Sequence, residues 1–217
     1  FGGNNSNPFE KAVQLCVNDQ PITELDVPNT VKEIKGGVFN GKNITTLKVS
    51  NSVEKIGDNA FSNCKDLISV DLGQSVDTIF AEAFRYCSSI ESIVIPNSVK
   101  AIGYRAFEGC TKLSSITLGD SVTFIGSNAF NGCDSLQRVE VTNLDAWYAI
   151  QFENEKANPL TLAQHLYHNG EEVTDLHIPD GIAEINEGFF SRFANVTSVV
   201  LPNSVKRIEE NAFSTCW

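Results

Sequence analysis

The chain has no methionine, and only two tryptophans and three histidines occur among its 217 residues. It also has no apolar run close to the roughly 18–20 residues that a membrane-spanning helix requires. We therefore expect no membrane insertion of this segment. No signal peptide is visible, and because the chain opens at Phe1 without a methionine, we expect the natural N-terminus to lie upstream.

Basic side chains are scarce. Sixteen Lys and Arg residues stand against 27 Asp and Glu residues, which gives a net charge of −11 at pH 7. A surface of this sign repels the phosphate backbone of nucleic acids, so we expect no nucleic-acid partner. Binding to an anionic membrane surface is disfavoured for the same reason.

The familiar motifs of catalysis and metal binding are missing. The sequence contains no G-x-S-x-G, no phosphate-binding loop and no H-E-x-x-H. His165 and His168 are three residues apart and His177 follows, but a zinc site needs ligands that converge. We interpret them as loop histidines without a metal, with His177 on the following strand. The sequence thus predicts a non-enzymatic protein with no catalytic residue, no metal site and no cofactor.

The cysteines share a position rather than forming pairs. Five of the six stand at one place in a repeat, at Cys64, Cys87, Cys110, Cys133 and Cys216. Disulfides would be the usual expectation for six cysteines in a surface protein. Parallel side chains in a stack lack the required dihedral angle, however, and no Cys-x-x-Cys pair exists to hold a metal. We predict a ladder of free, buried thiols.

One pattern fills the chain and returns at a fixed interval. It reads Val…Ile-Gly…Ala-Phe…Cys, and its phenylalanine recurs with a period of 23 at Phe61, Phe84, Phe107 and Phe130. A fixed period of this size indicates a solenoid, in which one small unit stacks on copies of itself. The fold class is therefore predicted to be an α/β solenoid.

Each unit is predicted to contain a short strand, a turn, a second extended piece and a short helical segment. The strand signature is an apolar pair separated by one residue, as in Leu47 and Val49, and alternation places both side chains inside. Eight such strands begin at Leu25, Leu47, Val70, Ile93, Ile116, Val139, Leu176 and Val199. We expect these strands to form one parallel ribbon, with a phenylalanine at the centre of each coil.

One interval is longer than the others. From Val139 to Leu176 there are 37 residues, which is 14 more than one unit. Asn143 is a candidate N-cap for a short helix. We predict that Trp147 on this helix plugs the insertion onto the core while Tyr148 is exposed; the alternative is that both anchor a partner. Residues 166–170, Leu-Tyr-His-Asn-Gly, then indicate a strand followed by a tight turn.

The long coil has a copy near the N-terminus. Residues 7–18 match residues 158–169 at an offset of 151, and the match continues as far as Phe39 and Phe190. We predict a single solenoid over 1–217, with residues 1–24 the remainder of a long irregular coil. Regular coils follow over 25–141, a long irregular coil over 142–175 and regular, truncated coils over 176–217. Neither end resembles a polar cap, so we expect a segment of a longer array.

The stretch 93–113 reads Ile-x-Ile-Pro-Asn-Ser-Val-x-x-Ile-Gly-x-x-Ala-Phe-x-x-Cys-x-x-Leu. It resembles the BspA-like, or Treponema-type, leucine-rich repeat, and the resemblance covers nearly the whole chain. It implies a leucine-rich-repeat solenoid with a parallel strand ribbon on a cell-surface or secreted bacterial protein, with a role in adhesion. Phe80 stands where the family has Gly, and Phe193 where it has Cys. The motif residues are structural, so no binding residue is implied by them.

The outward face of the ribbon is where function is expected. Small hydroxyl side chains dominate it, and charge appears beside the long coil at Arg138, Glu140, Asp175 and His177. With Tyr148, these are the predicted ligand-binding residues. The first hypothesis is an adhesion module that binds a protein or glycan on host or neighbouring cells. The alternative is a structural spacer that presents another domain and binds no ligand of its own.

Overall fold

The computed structural model describes residues 15–17 and 20–216, and the side chains from Ile22 to Cys216. In chain order the first strands are β1 (Leu15–Val17), β2 (Gln20–Ile22), β3 (Glu24–Val27), β4 (Glu33–Ile34), β5 (Thr46–Val49), β6 (Lys55–Ile56), β7 (Ser69–Asp71), β8 (Thr78–Ile79), β9 (Ser92–Val94), β10 (Ala101–Ile102), β11 (Ser115–Leu118), β12 (Phe124–Ile125) and β13 (Arg138–Val141). There follow α1 (Leu144–Tyr148), β14 (Gln151–Phe152), a 3₁₀ turn (Glu155–Ala157), α2 (Leu160–Ala163), β15 (Leu166–His168), β16 (Glu171–Glu172), β17 (Asp175–His177), β18 (Glu184–Ile185), β19 (Ser198–Val200) and β20 (Arg207–Ile208).

The longer strands line one side of the solenoid, which we call the first ribbon. They form the sheets β3-β5-β7, β9-β11-β13-β15-β16 and β17-β19. Successive coils pair in parallel, so that Ile93 lies beside Ile116 and Ile116 beside Val139. Since side chains alternate along a strand, this apolar column faces the core. The predicted parallel solenoid is confirmed.

A second ribbon runs beside the first and consists of two-residue strands. Its sheets are β4-β6-β8-β10-β12-β14 and β18-β20. These strands come from the second apolar pair of each repeat, and the isoleucines Ile56, Ile79, Ile102 and Ile125 are fully buried. The Val…Ile spacing in the repeat therefore supplies a second wall of the same core.

The Ala-Phe segment closes each regular coil with turns rather than a helix. Asn59 and Asn63, which flank Phe61, have positive φ values of 57° and 60°. This backbone sends hydrogen bonds to the next coil: Phe61 N–H donates to the Ala83 carbonyl at 2.8 Å and Phe84 N–H to that of Ala106 at 2.8 Å. The helical segments of the described chain lie in the long coil instead, because in the regular coils these backbone groups bond between coils.

Phenylalanines and cysteines form two ladders through the regular core. Rings from Phe39 to Phe130 stack with centroids 5.2–5.6 Å apart and planes within 11°. Each thiol donates to the carbonyl of the phenylalanine of the preceding coil, as Cys87 Sγ does to Phe61 O at 3.1 Å. Cys64, Cys87, Cys110 and Cys133 are free and buried, which confirms the predicted thiol ladder, and Cys216 is half-buried.

The long coil is one enlarged coil followed by a hairpin. Val139 pairs with Leu166, so this coil returns to the ribbon later than the regular spacing requires, and β15 then turns back antiparallel into β16. The expectation that β13 lies beside β17 is therefore wrong. The long coil contributes its own strand, β15, and the hairpin occupies the place where β17 was expected.

The ends of the stack depart from the predicted burial. Val199 and Leu201 on the last described coil are exposed, although the repeat assigns them to the core. The reason is that no further coil packs on β19 within residues 20–216. Most of the predicted first long coil, at 1–14 and 18–19, and Trp217 fall outside the described residues.

Candidate functional site

Small hydroxyl side chains dominate the outward face of the first ribbon, and the kind of side chain changes at the hairpin. Adjacent outward residues run from Val94 through Thr117 and Glu140 to Tyr167, as the strand register shows. Ser92, Ser115 and Arg138 form the neighbouring column. In this stretch of the ribbon, from β9 to β15, charged side chains lie beside an aromatic ring only where β13 pairs with β15.

Arg138 is the centre of this site. The Cζ atom of Arg138 lies 3.5 Å from the centroid of the Tyr167 ring, well within cation–π range. One guanidinium nitrogen of Arg138 is 2.5 Å from Glu140 Oε2. Arg138 and Glu140 are two residues apart on β13 and so share a face, and the guanidinium is held between a ring and a carboxylate.

Glu140 also fastens the hairpin turn. Its second carboxylate oxygen, Oε1, accepts a hydrogen bond from the Gly170 N–H at 2.8 Å. Asn169 and Gly170 have φ values of 52° and 87°, and two successive positive values are those of a type I′ turn. The predicted strand and tight turn are confirmed, and a single carboxylate joins that turn to Arg138.

The other strand of the hairpin is tied to the following coil. His165 Nδ1 lies 2.6 Å from Glu172 Oε1, and Asn195 Nδ2 donates to the same oxygen at 3.0 Å. Hydrogen bonds from His165 and Asn195 lower the pKa of Glu172, and the nearby charge of Arg138 lowers it further. Glu172 is therefore an anion at neutral pH, and its Oε1 atom is engaged by two neighbours.

Asp175 and His177 lie beyond the hairpin on β17, and both are exposed. Asp175 accepts hydrogen bonds from Ser198 Oγ at 2.6 Å and Thr197 Oγ1 at 2.8 Å, which lower its pKa. The predicted set is thus divided, because β15 and β16 follow β13 in the sheet and β17 belongs to another sheet.

Tyr148 lies away from this face. It is only 7% exposed, and its ring packs edge-on against Phe190 with centroids 6.0 Å apart. Burial raises its pKa to about 12. The expectation that Tyr148 is exposed is wrong because α1 lies against the next coil, whereas the inward position of Trp147 and the Asn143 cap are confirmed.

Sequence reasoning missed Tyr167, His165 and Glu172. Alternation in Leu166-Tyr167-His168 does assign Tyr167 to the outward face once Leu166 is placed inside. The missing information was the register, since the enlarged coil between Val139 and Leu166 breaks the period that located the other strands.

The histidines do not converge. His165 faces Glu172, whereas His168 Nε2 lies 3.2 Å from the Thr142 carbonyl and His177 is on β17. Among the described residues no cluster of three or more His, Cys, Asp or Glu side chains is arranged to hold a metal ion. Nor does this part of the chain contain a helix with the length and apolar character needed to cross a bilayer.

Short coils of one repeated length, stacked through a parallel first ribbon and a phenylalanine ladder, define a leucine-rich-repeat solenoid. The sequence profile of the BspA type leucine rich repeat region, with six copies, matches residues 14–137, 78–156 and 160–217. The chain belongs to this family. None of the curated proteins matches the chain.

Solved bacterial leucine-rich-repeat structures share the fold. The T. pallidum leucine rich repeat protein TpLRR has 24% identity and a TM-score of 0.50 over 88% of this chain and 69% of that chain. A leucine rich cell surface protein from Faecalibacterium prausnitzii has 25% identity and a TM-score of 0.50 over 88% and 57%. A leucine-rich repeat protein from Eubacterium ventriosum has 21% identity and a TM-score of 0.53 over 89% and 51%. This chain therefore spans about half to two thirds of their lengths.

Proposed function

We propose that this chain is a non-enzymatic protein-binding module of a cell-surface or secreted bacterial protein and that it mediates adhesion. The partner is a protein or glycan on host or neighbouring cells, contacted through the hairpin end of the first ribbon. Membership of a repeat family with a cell-surface relative supports this location. Because the chain covers only part of its structural relatives, the proposal concerns this segment.

The Arg138–Tyr167 pair is the observation that carries the proposal. Arginine and tyrosine are the residue types that most often dominate binding energies at interfaces. Here the guanidinium stands 3.5 Å from the ring centroid and is paired to Glu140. Side chains already held in place lose little conformational entropy on binding, so the pair is ready to contact a partner. Asp175 and His177 lie beyond the hairpin, in the next sheet.

A panel of extracellular-matrix proteins and glycans, screened against the purified chain, tests the proposal. For any partner found, Arg138→Ala and Tyr167→Ala are each expected to weaken binding about tenfold or more, as at an interface hot spot. Lys48→Ala and Ser69→Ala remove outward side chains from the same ribbon, away from β13 and β15, and serve as matched controls. Binding that survives charge reversal at both Arg138 and Glu140 would refute this placement.

The alternative is a spacer, and the rest of the ribbon favours it. The outward residues of β7, β9 and β11 include Ser69, Ser92 and Ser115, with few charges. A spacer predicts that the panel finds no partner for this chain while longer forms of the protein bind through other regions. Any binding that depends on Arg138 or Tyr167 excludes that alternative.

A further inference from the structure

The strand pairing of the second ribbon is interrupted at one step from coil to coil, between β14 and β18. β14 ends the six-stranded sheet and β18 begins a two-stranded one. At the regular steps on either side, Glu153 N–H donates to the Ile125 carbonyl at 3.0 Å and Glu209 N–H to the Ile185 carbonyl at 2.9 Å. Between β14 and β18 the described backbone shows no corresponding bond. Within the described residues, one edge of β14 and one edge of β18 therefore have no strand partner.

Tilted aromatic rings fill the core at this step. Phe152 lies 5.3 Å from Phe189 at an interplanar angle of 66°, and Trp147 lies 5.4 Å from Phe152 at 57°. The regular steps instead stack one phenylalanine nearly parallel on the next, as Phe84 does on Phe107 at 2°. The break in the ribbon thus coincides with a change in core packing, which comes from the sequence of the long coil.

The break opens into a cleft of about 510 Å³. Phe152 and Phe189 contribute to its lining, and the glutamates among its lining residues are Glu153, Glu155, Glu187 and Glu209. Glu155 lies beside Gly188. Its Cγ atom is 3.8 Å from the position that a Cβ atom would occupy at Gly188.

The charge of the cleft is only partly balanced. Arg207 pairs with Glu209 and lies 3.9 Å from Glu184. Glu153 accepts a hydrogen bond from the Ser127 N–H at 2.6 Å. Glu155 and Glu187 are exposed at the mouth of the cleft. An occupant that carries positive charge would be favoured here over a neutral or acidic one.

We propose that this cleft binds an extended peptide segment of a partner protein that carries lysine or arginine. The segment would add as a strand to the free edge of β14 or β18, since exposed strand edges take extended peptides through main-chain hydrogen bonds. A basic side chain would meet Glu155 and Glu187 while its apolar stem packs on Phe152, which is partly exposed. The site is on the second ribbon and does not depend on the adhesion surface proposed above.

The experiment uses the whole chain and two capped octapeptides, (Lys-Thr)₄ and (Glu-Thr)₄, in an NMR titration at low ionic strength. The lysine peptide is expected to bind with a Kd below about 1 mM, which corresponds to about −4 kcal/mol. The largest amide shifts are expected at residues 151–153 and 184–187. The glutamate peptide is expected not to bind. Absence of binding by the lysine peptide, or shifts spread over other acidic surfaces, would overturn the proposal.

A matched pair of variants separates this site from general charge attraction. Glu155→Gln with Glu187→Gln is expected to weaken the lysine peptide about tenfold or more. Glu54→Gln with Glu91→Gln removes the same charge at exposed positions elsewhere and is expected to change the Kd less than twofold. Equal weakening by both pairs would overturn the proposal. So would equal binding of a backbone N-methylated lysine peptide, which cannot add as a strand.

Discussion

At the scale of single residues, the thiol ladder shows how one repeated position acquires unusual chemistry. Burial raises the pKa of Cys64 to about 11 and that of Cys133 to about 12, from an ordinary value of 9.0. Each thiol donates to a backbone carbonyl, which its thiolate form cannot do. The same cysteine that packs as a small apolar group is therefore protected from becoming the reactive thiolate.

This ladder predicts a loss of stability at alkaline pH. The pKa values of these thiols are higher in the folded chain than in the unfolded chain, so above pH 9 the unfolded chain loses the protons first. The stabilisation of the folded state by this difference is therefore complete only below pH 9. The free energy of unfolding is expected to fall as pH rises from about 9 towards 11 and 12. Chemical denaturation at a series of pH values measures this. The double variant Cys64→Ala with Cys133→Ala should show a shallower fall; an unchanged slope would contradict the assignment.

At the scale of elements, the hairpin β15–β16 is the part of the fold that departs most from the repeat. It is joined to the ribbon by the pairing of Val139 with Leu166 and to the next coil by Glu172 and Asn195. Glu140 contacts both Arg138 and the Gly170 turn. One carboxylate therefore links the geometry of the turn to that of the candidate site.

Removing this link should loosen the turn without unfolding the solenoid. In Glu140→Ala, the Gly170 N–H loses its acceptor, and we expect its hydrogen exchange to accelerate about tenfold, since a hydrogen bond to a charged group contributes on the order of 1.5 kcal/mol. The global free energy of unfolding should change by less than about 1 kcal/mol, because Glu140 is outside the core. Native-state exchange followed by NMR measures both quantities. Glu171→Ala, an exposed change on the same hairpin, is the control and should leave Gly170 unaffected.

At the scale of the whole molecule, each coil is stabilised by its neighbours. Val139 is fully buried between two coils, while the equivalent Val199 on the last described coil is 40% exposed. In a solenoid, stability is close to a sum of coil and interface contributions. The same residue type at the same repeat position therefore contributes differently according to what stacks beside it. That this chain is one segment of a longer array stays a prediction.

The two valines provide a direct comparison. Val139→Ala should lower the free energy of unfolding by about 2 kcal/mol through lost burial and the cavity left behind. Val199→Ala should cost less than about 1 kcal/mol because much of its surface already meets solvent. Urea denaturation of the two variants measures the difference. Equal costs would mean that the last coil is covered in solution, for example by a second copy of the chain.

Much of the candidate site followed from alternation alone. Arg138 and Glu140 were placed outward because Val139 and Val141 face the core, and the Asn169-Gly170 turn is recognisable from its two residues. The contact of Arg138 with Tyr167 was not accessible in this way. It depends on which strand stacks on β13, and that in turn depends on how many residues the long coil uses before it returns.

The sequence by itself determined the coil. Its period, the inward apolar pairs, the phenylalanine ladder and the buried thiols all follow from local alternation and from identical neighbours at a constant spacing along the chain. Only the tertiary structure decided what happens where the period fails. It placed β15 and β16 in the first ribbon, buried Tyr148 and left β14 and β18 without a pairing to each other. The physical reason is that an irregular coil packs against surfaces unlike itself, so its register is set by tertiary packing and not by repetition.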